Sequence, residues 1–216
     1  MICVSIANMG RDACLSLVAD FRVVEIRLDS IELTAEDMAA ISQKARCWIA
    51  TCRPGTHTPE KRMEQLSMAI MAGASYVDIE YESVPVFREP LVKLARKKGC
   101  KVMISYHDYK QTPNRETLCR IIRQSFNMGA DRVKLATMAN SKADSARILS
   151  LYDDFDRLLA FAMGKEGRIS RVAAPMLGAD FTYASAGEGA ETAPGQFTAS
   201  QLETIYDIVG ILPSEK

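Results

Sequence analysis

The chain has 216 residues, 48% of them hydrophobic and 25% charged, a composition of ordinary globular proteins that excludes a disordered or collagen-like chain. Twenty-seven basic residues balance 27 acidic ones, so no excess positive field exists to hold a nucleic acid backbone or an anionic membrane. Apolar runs such as Leu158–Met163 stop far short of the ~20 residues of a membrane span, and the opening Ile2-Cys3-Val4-Ser5-Ile6 follows no basic leader, so a soluble, cytoplasmic chain is expected.

Short apolar or β-branched runs recur in chain order: 2–6, 23–28, 47–52, 76–81, 101–106, 132–137, 157–163 and 181–184. Their starts lie 21 to 31 residues apart, room for one strand, one helix and two short loops. The intervals carry helix punctuation. Thr34 with Asp37, Ser141 with Asp144 and Thr198 with Gln201 read as capping boxes. Thr58-Pro59 and Thr112-Pro113 read as an N-cap followed by proline at the first helical position, and Gly73, Gly99 and Gly129 as stops. Residues 168–177 look helical, with Pro175 set to break or kink the element.

Eight β–α units without a composition break or linker predict an α/β fold, a single (β/α)8 TIM barrel over residues 1–216. Such barrels typically use ~250 residues, which calls for short loops here. The open doubly wound alternative loses ground because the first strand–helix turn, Ala7-Asn8-Met9-Gly10, lacks G-x-G-x-x-G, and no G-x-x-x-x-G-K-[ST] occurs. Cys3, Cys14, Cys47, Cys52, Cys100 and Cys119 show no C-x-x-C spacing and are expected to be reduced core thiols.

Parallel strands are buried on both faces and should be apolar throughout. Several here are not. Period-two spacing puts Glu25, Arg27 and Asp29 on one side of the second strand, Asp78 and Glu80 on one side of the fourth, and Ser105 and His107 on one side of the fifth. Lys134 interrupts the sixth strand, Arg53 ends the third, and Ser5 lies in the first. Burying such groups unpaired costs several kcal/mol each, so they neutralise one another or face a ligand. Glu25 with Arg27 suits either a structural ion pair or substrate binding. In a barrel the C-terminal strand ends gather Arg27, Arg53, Glu80, His107 and Lys134 around one centre. A desolvated lysine amine beside other cations can attack a ketone to form a Schiff base, an imidazole can move the proton, and Glu80 could orient that imidazole. His57, before a helix, reads as loop surface.

Ser105-Tyr106-His107-Asp108, Val133-Lys134-Leu135-Ala136, Met163-Gly164-x-x-Gly167-x-Ile169-Ser170-Arg171 and Ala193-Pro194-Gly195-Gln196, in this order, resemble the type I 3-dehydroquinate dehydratases of the shikimate pathway. Glu25-Ile26-Arg27, Arg53 and Asp78-Ile79-Glu80 fit the same pattern, so the resemblance runs from Ser5 to Gln196. It implies a homodimeric barrel without metal or organic cofactor, acting on 3-dehydroquinate to give 3-dehydroshikimate. By the same resemblance, Lys134 forms the imine with the C3 ketone, His107 moves the C2 proton, and Glu80 sets the state of His107. Arg171 clamps the substrate carboxylate, and Ser5, Glu25, Arg27, Arg53, Thr192 and Gln196 contact the substrate, the last two from a lid at 184–196.

The chain departs from that pattern at three places. Thr192 stands where serine is usual and keeps the hydroxyl, and Tyr183 stands where phenylalanine is frequent. The segment Pro54–Pro59 lacks the acid that some members carry, and Glu60 reads as a first-turn helix acid. Two rivals stay open on the residues alone: a Schiff-base aldolase on the same barrel, and a silent barrel that only binds.

Overall fold

The computed structural model describes residues 1–210. Eight β-α units follow one another: β1 (Ile2–Ile6), α1 (Arg11–Leu17), β2 (Val23–Arg27), α2 (Ala35–Lys44), β3 (Cys47–Thr51), α3 (Pro59–Met71), β4 (Tyr76–Glu80), α4 (Pro85–Lys98), β5 (Lys101–Asp108), α5 (Arg115–Asn127), β6 (Arg132–Met138), α6 (Lys142–Leu149), β7 (Leu158–Met163), α7 (Arg168–Ala173), β8 (Thr182–Ser185) and, after a two-residue β9 (Phe197–Thr198), α8 (Ala199–Val209). The strands form one parallel sheet in the order β7-β6-β5-β4-β3-β2-β1-β8-β9. The sheet curls into a barrel with a seam. Among the described residues no backbone ladder joins β7 to β8, and Phe161 and Tyr183 bridge them with ring centroids 5.7 Å apart.

Alternation along each strand divides the apolar residues between two cores. Val4, Val24, Trp48, Val77, Val102, Val133 and Leu158 point outward and pack beneath the helices. Cys3, Val23, Ile49, Tyr76, Met103, Leu159 and Phe181 fill the interior. Two residues further along the inward face the character changes: Cys3 gives way to Ser5, Val23 to Glu25, Ile49 to Thr51, Tyr76 to Asp78, and Met103 to Ser105. The period of two therefore stacks a polar layer on an apolar floor.

Local chemistry explains most helix ends. Thr34 and Asp37 exchange side-chain and backbone bonds at α2, as do Thr198 and Gln201 at α8. At α6 the Asp144 carboxylate accepts from the Ser141 backbone N–H at 2.9 Å. Thr58 caps α3 with proline at its first turn, and Gly99 closes α4 in the left-handed conformation. Glu60 lies in the first turn of α3. Residues 168–177 divide into α7 and a 3-10 turn over Ala174–Leu177, because Pro175 supplies no N–H to continue the helix.

One expected cap moves. Helix α5 starts two residues later than Thr112-Pro113 suggests, with Asn114 accepting from the Thr117 N–H at 2.9 Å. Thr112 is drawn inward instead, where its hydroxyl meets Thr137 Oγ1 and the Met138 carbonyl, both at 2.8 Å. Strand β5 extends to Asp108, past the expected end at residue 106, and so holds His107 in ladder register with Ala136. All six cysteines are free thiols, five of them buried. Among the described residues no helix is long and apolar enough to cross a membrane.

Candidate active site

At the C-terminal end of the barrel one cavity is lined by Ser5, Glu25, Arg27, Arg53, His107, Lys134, Arg171, Thr192 and Gln196, joined by Tyr109, Phe161 and Tyr183. Nine of the ten residues singled out in the sequence thus meet there. Glu80, expected to orient His107, stands outside that lining and makes no hydrogen bond to the imidazole. Its two carboxylate oxygens are taken by Arg53, whose Nη1 is 3.0 Å away, and by Arg62. Both oxygens point to guanidinium groups, and no hydrogen bond joins Glu80 to His107.

Lys134 is 4% exposed, held by β6 beside Ser105 of β5. Its Nζ donates to Glu25 Oε1 at 3.2 Å, lies 3.6 Å from Asp78 Oδ2, and sits 3.9 Å from the Tyr183 ring centroid. The amine is thus met by carboxylates, where the sequence suggested a setting of neighbouring cations. Glu25 also accepts from Ser5 Oγ at 2.8 Å and Thr51 Oγ1 at 3.0 Å. Burial pushes its carboxyl upward, but Lys134, Arg53, Arg27 and Ser5 outweigh it and hold the group down at about 2. Of the two readings left open for Glu25 with Arg27, the structural ion pair between them is not made. Arg27 turns to Asp29 in a two-point contact at 2.9 and 2.7 Å, since the shared strand face places them two residues apart.

Arg53 is a junction. Its Nη2 donates to Asp78 Oδ2 at 2.8 Å and its Nη1 to Ser105 Oγ at 2.8 Å, while its backbone N–H donates to Asp29 at 2.9 Å. Asp78 is fully buried and also accepts from Ser105.

His107 makes no side-chain hydrogen bond among the described residues, and its ring stacks on Tyr109 with centroids 6.0 Å apart. Burial, then the nearby cations Arg53, Lys134 and Arg27, push the imidazole well below its ordinary range. It is neutral at pH 7 and able to accept a proton.

Arg171 is 1% exposed, with its guanidinium carbon 4.6 Å from the Phe161 ring centroid. Among the described residues its Nε and Nη2 are buried without a partner, and burial pulls the group down to about 10. Ser170 fixes its position: that hydroxyl accepts from the Ala162 N–H of β7 at 2.7 Å and donates to the Gly167 carbonyl at 2.6 Å. A buried, unpaired guanidinium on a cavity wall is costly unless an anion joins it there.

The segment 186–196 closes one side. Gln196 Oε1 accepts from the Thr192 N–H at 2.7 Å and its hydroxyl at 3.2 Å. The Gly164 N–H donates to the Pro194 carbonyl at 3.0 Å, and a Cβ on Gly195, whose φ is +75°, would lie 2.5 Å from the Gly164 carbonyl oxygen. Two sequence motifs far apart in the chain are therefore docked backbone to backbone. Asp78 and Arg62 escaped selection as site residues. Asp78 shared the period-two signal of Glu80, whereas Arg62 sits in a helix with ordinary charge spacing and carried none.

A buried lysine, an imidazole and a buried arginine on one cavity at the C-terminal end of an α/β barrel mark the class of barrel enzymes acting on small molecules. The type I 3-dehydroquinase family model matches residues 2–213, and the chain belongs to that family. It is 36% identical over 195 residues, 85% of either chain, to 3-dehydroquinate dehydratase of Desulfotalea psychrophila. With the Dehalococcoides mccartyi (strain ATCC BAA-2266 / KCTC 15142 / 195) protein of that name it shares 32% identity over 213 residues, covering 95% of this chain and 94% of the relative. The type I 3-dehydroquinate dehydratase of Clostridium difficile superposes with a TM-score of 0.84 at 20% identity, covering 96% of this chain and 91% of that one.

Proposed function

We propose that the chain is a hydro-lyase of the shikimate pathway that converts 3-dehydroquinate to 3-dehydroshikimate and water through an imine on Lys134. Membership in the family and the names of its relatives support the reaction. The observation that carries it is the unpaired Arg171 guanidinium, buried in the same cavity as an amine and a free imidazole. That arrangement fits a small molecule with a carboxylate at one place and a ketone at another.

In this reading Lys134 gives up a proton and attacks C3, and that proton departs with the carbinolamine oxygen as water to leave an iminium. The positive nitrogen draws electrons from the C2–H bond, and neutral His107 takes that proton. The electron pair left at C2 expels the C1 hydroxyl, which leaves as water with the proton from His107, and a second water hydrolyses the imine. The Tyr183 face beside Nζ and the Glu25 carboxylate stabilise the cation that persists through these steps. Arg171 holds the carboxylate in a two-point grip. Arg27, Arg53, Ser5, Thr192 and Gln196 receive the ring hydroxyls, and of the lid expected at 184–196 the part beyond the end of β8 at Ser185 closes over them. No metal or organic cofactor enters, and the working form is a cytoplasmic homodimer.

Glu80 belongs to this machinery at one remove, through Arg53. Borohydride added with 3-dehydroquinate should reduce the imine and leave a mass adduct on Lys134. Folded protein that yields no adduct would remove the mechanism. A rise in enone absorbance that is the same in Lys134→Ala as in the parent would remove the activity.

A further inference from the structure

We propose that Arg62, on α3 and outside the cavity, is a positioning residue that steadies Arg53 through the Cys52 carbonyl and Glu80, and so keeps Asp78 engaged chiefly by Arg53 and only secondarily by Lys134. This deepens the reading of Lys134 as the imine-forming amine and rests on it. Arg62 lies on a helix, yet it is buried, with its guanidinium 4.8 Å over the Phe87 ring. Its Nε donates to the Cys52 carbonyl at 2.9 Å, the peptide that leads directly into Arg53. Its Nη2 donates to Glu80 Oε2, while Glu80 Oε1 accepts from Arg53 Nη1 at 3.0 Å. One side chain thereby fixes both the backbone entering Arg53 and the carboxylate that steadies its guanidinium.

The consequence falls on one oxygen. Asp78 Oδ2 lies 2.8 Å from Arg53 Nη2 and 3.6 Å from Lys134 Nζ, so two cations share it and the guanidinium has the nearer place. Without Arg62, Glu80 keeps its buried charge with only Arg53 to answer it, which draws the guanidinium toward the end of β4. Asp78 then turns to Lys134. An ammonium held by two carboxylates releases its proton less readily than one held chiefly by Glu25. The other groups facing the amine are Cys3 from β1, Glu25 and Arg27 from β2, His107 from β5, Tyr183 from β8 and Arg171 from α7. None of these bonds to Arg62, so its influence runs through Glu80 and Arg53.

The test measures the pH dependence of borohydride-trapped imine formation, with turnover expressed per trappable site so that misfolded molecules do not count. Arg62→Met removes charge and both donors. Its acid limb should move to higher pH by about one unit, with turnover per site at pH 7 down about tenfold and KM within about threefold, as expected when one ionisation is shifted. Arg62→Lys keeps the charge but cannot span both Cys52 and Glu80, so about half of that shift should remain. A wild-type limb in Arg62→Lys would show that charge alone suffices and would overturn the positioning role, whether or not Arg62→Met folds. A parent protein that traps no imine at any pH overturns the lysine reading itself, and that result is distinct from a parent that traps while the variants match it.

Discussion

Lys134 Nζ and Glu25 Oε1 stand 3.2 Å apart inside the barrel, each side chain about 5% exposed. The pair gives the amine a resting partner before substrate arrives, and it gives the carboxylate reason to stay ionised at acid pH. Glu25→Gln keeps the shape and one acceptor but removes the charge. Imine formation should then begin at lower pH. Breaking a buried pair costs ~3–5 kcal/mol, which a denaturant titration at pH 7 reads directly.

The same carboxylate governs acid stability. Its folded value of about 2 lies below the ordinary 4.5, so the stability it contributes is present above pH 4.5 and is lost as pH falls toward 2. The parent should lose stability across that window more steeply than Glu25→Gln. Equal slopes for the two proteins would show that folding does not lower the Glu25 carboxyl.

His107 is pushed well below 6.5, so it stays proton-free through mildly acid pH. Its limb in kcat/KM should appear below 6.5, and stability should fall as pH drops through the same range because the unfolded chain takes up the proton first. His107→Ala should lose ~10²–10⁴-fold in kcat while still forming a trappable imine. A limb at 6.5 or above would show that the imidazole is not desolvated as the fold implies.

Arg171 separates stability from function. Two of its nitrogens are buried without partners, so Arg171→Leu should leave the free protein as stable as the parent or more stable by ~1–4 kcal/mol, the range for replacing buried charge with apolar groups. The same change should raise KM by about tenfold or more. A destabilised variant with unchanged KM would place an internal partner on Arg171 and take the carboxylate away from it.

Gly195→Ala tests the docking of the two loops. The added Cβ would strike the Gly164 carbonyl, and φ near +75° strains any larger residue. The Pro194–Gly164 bond should open, with KM raised and proteolysis accelerated in 186–196. Unchanged cleavage and kinetics would free the segment from any dependence on that contact.

Much of this was legible in the sequence because period and punctuation are local. Eight apolar runs at regular spacing identify the barrel strands, and three capping boxes locate the starts of α2, α6 and α8. Charges at period two within buried strands mark the polar layer, since nothing else tolerates them there. What stayed hidden involved choices among partners. Thr112 looked like a cap, and a hydrogen bond to Met138 across 26 residues claimed it instead. Glu80 looked directed at His107, and in the fold it bonds Arg53 and Arg62.

The sequence by itself determined which side chains face the barrel interior, because alternation along a strand is a property of the backbone. Only the tertiary structure decided how those charges pair. Glu25 took Lys134, Arg27 took Asp29, Arg53 took Asp78 and Glu80, and Arg171 took no carboxylate among the described residues. Coulomb and hydrogen-bond energies fall off within a few ångströms, so pairing depends on strand register and helix docking that no single segment encodes.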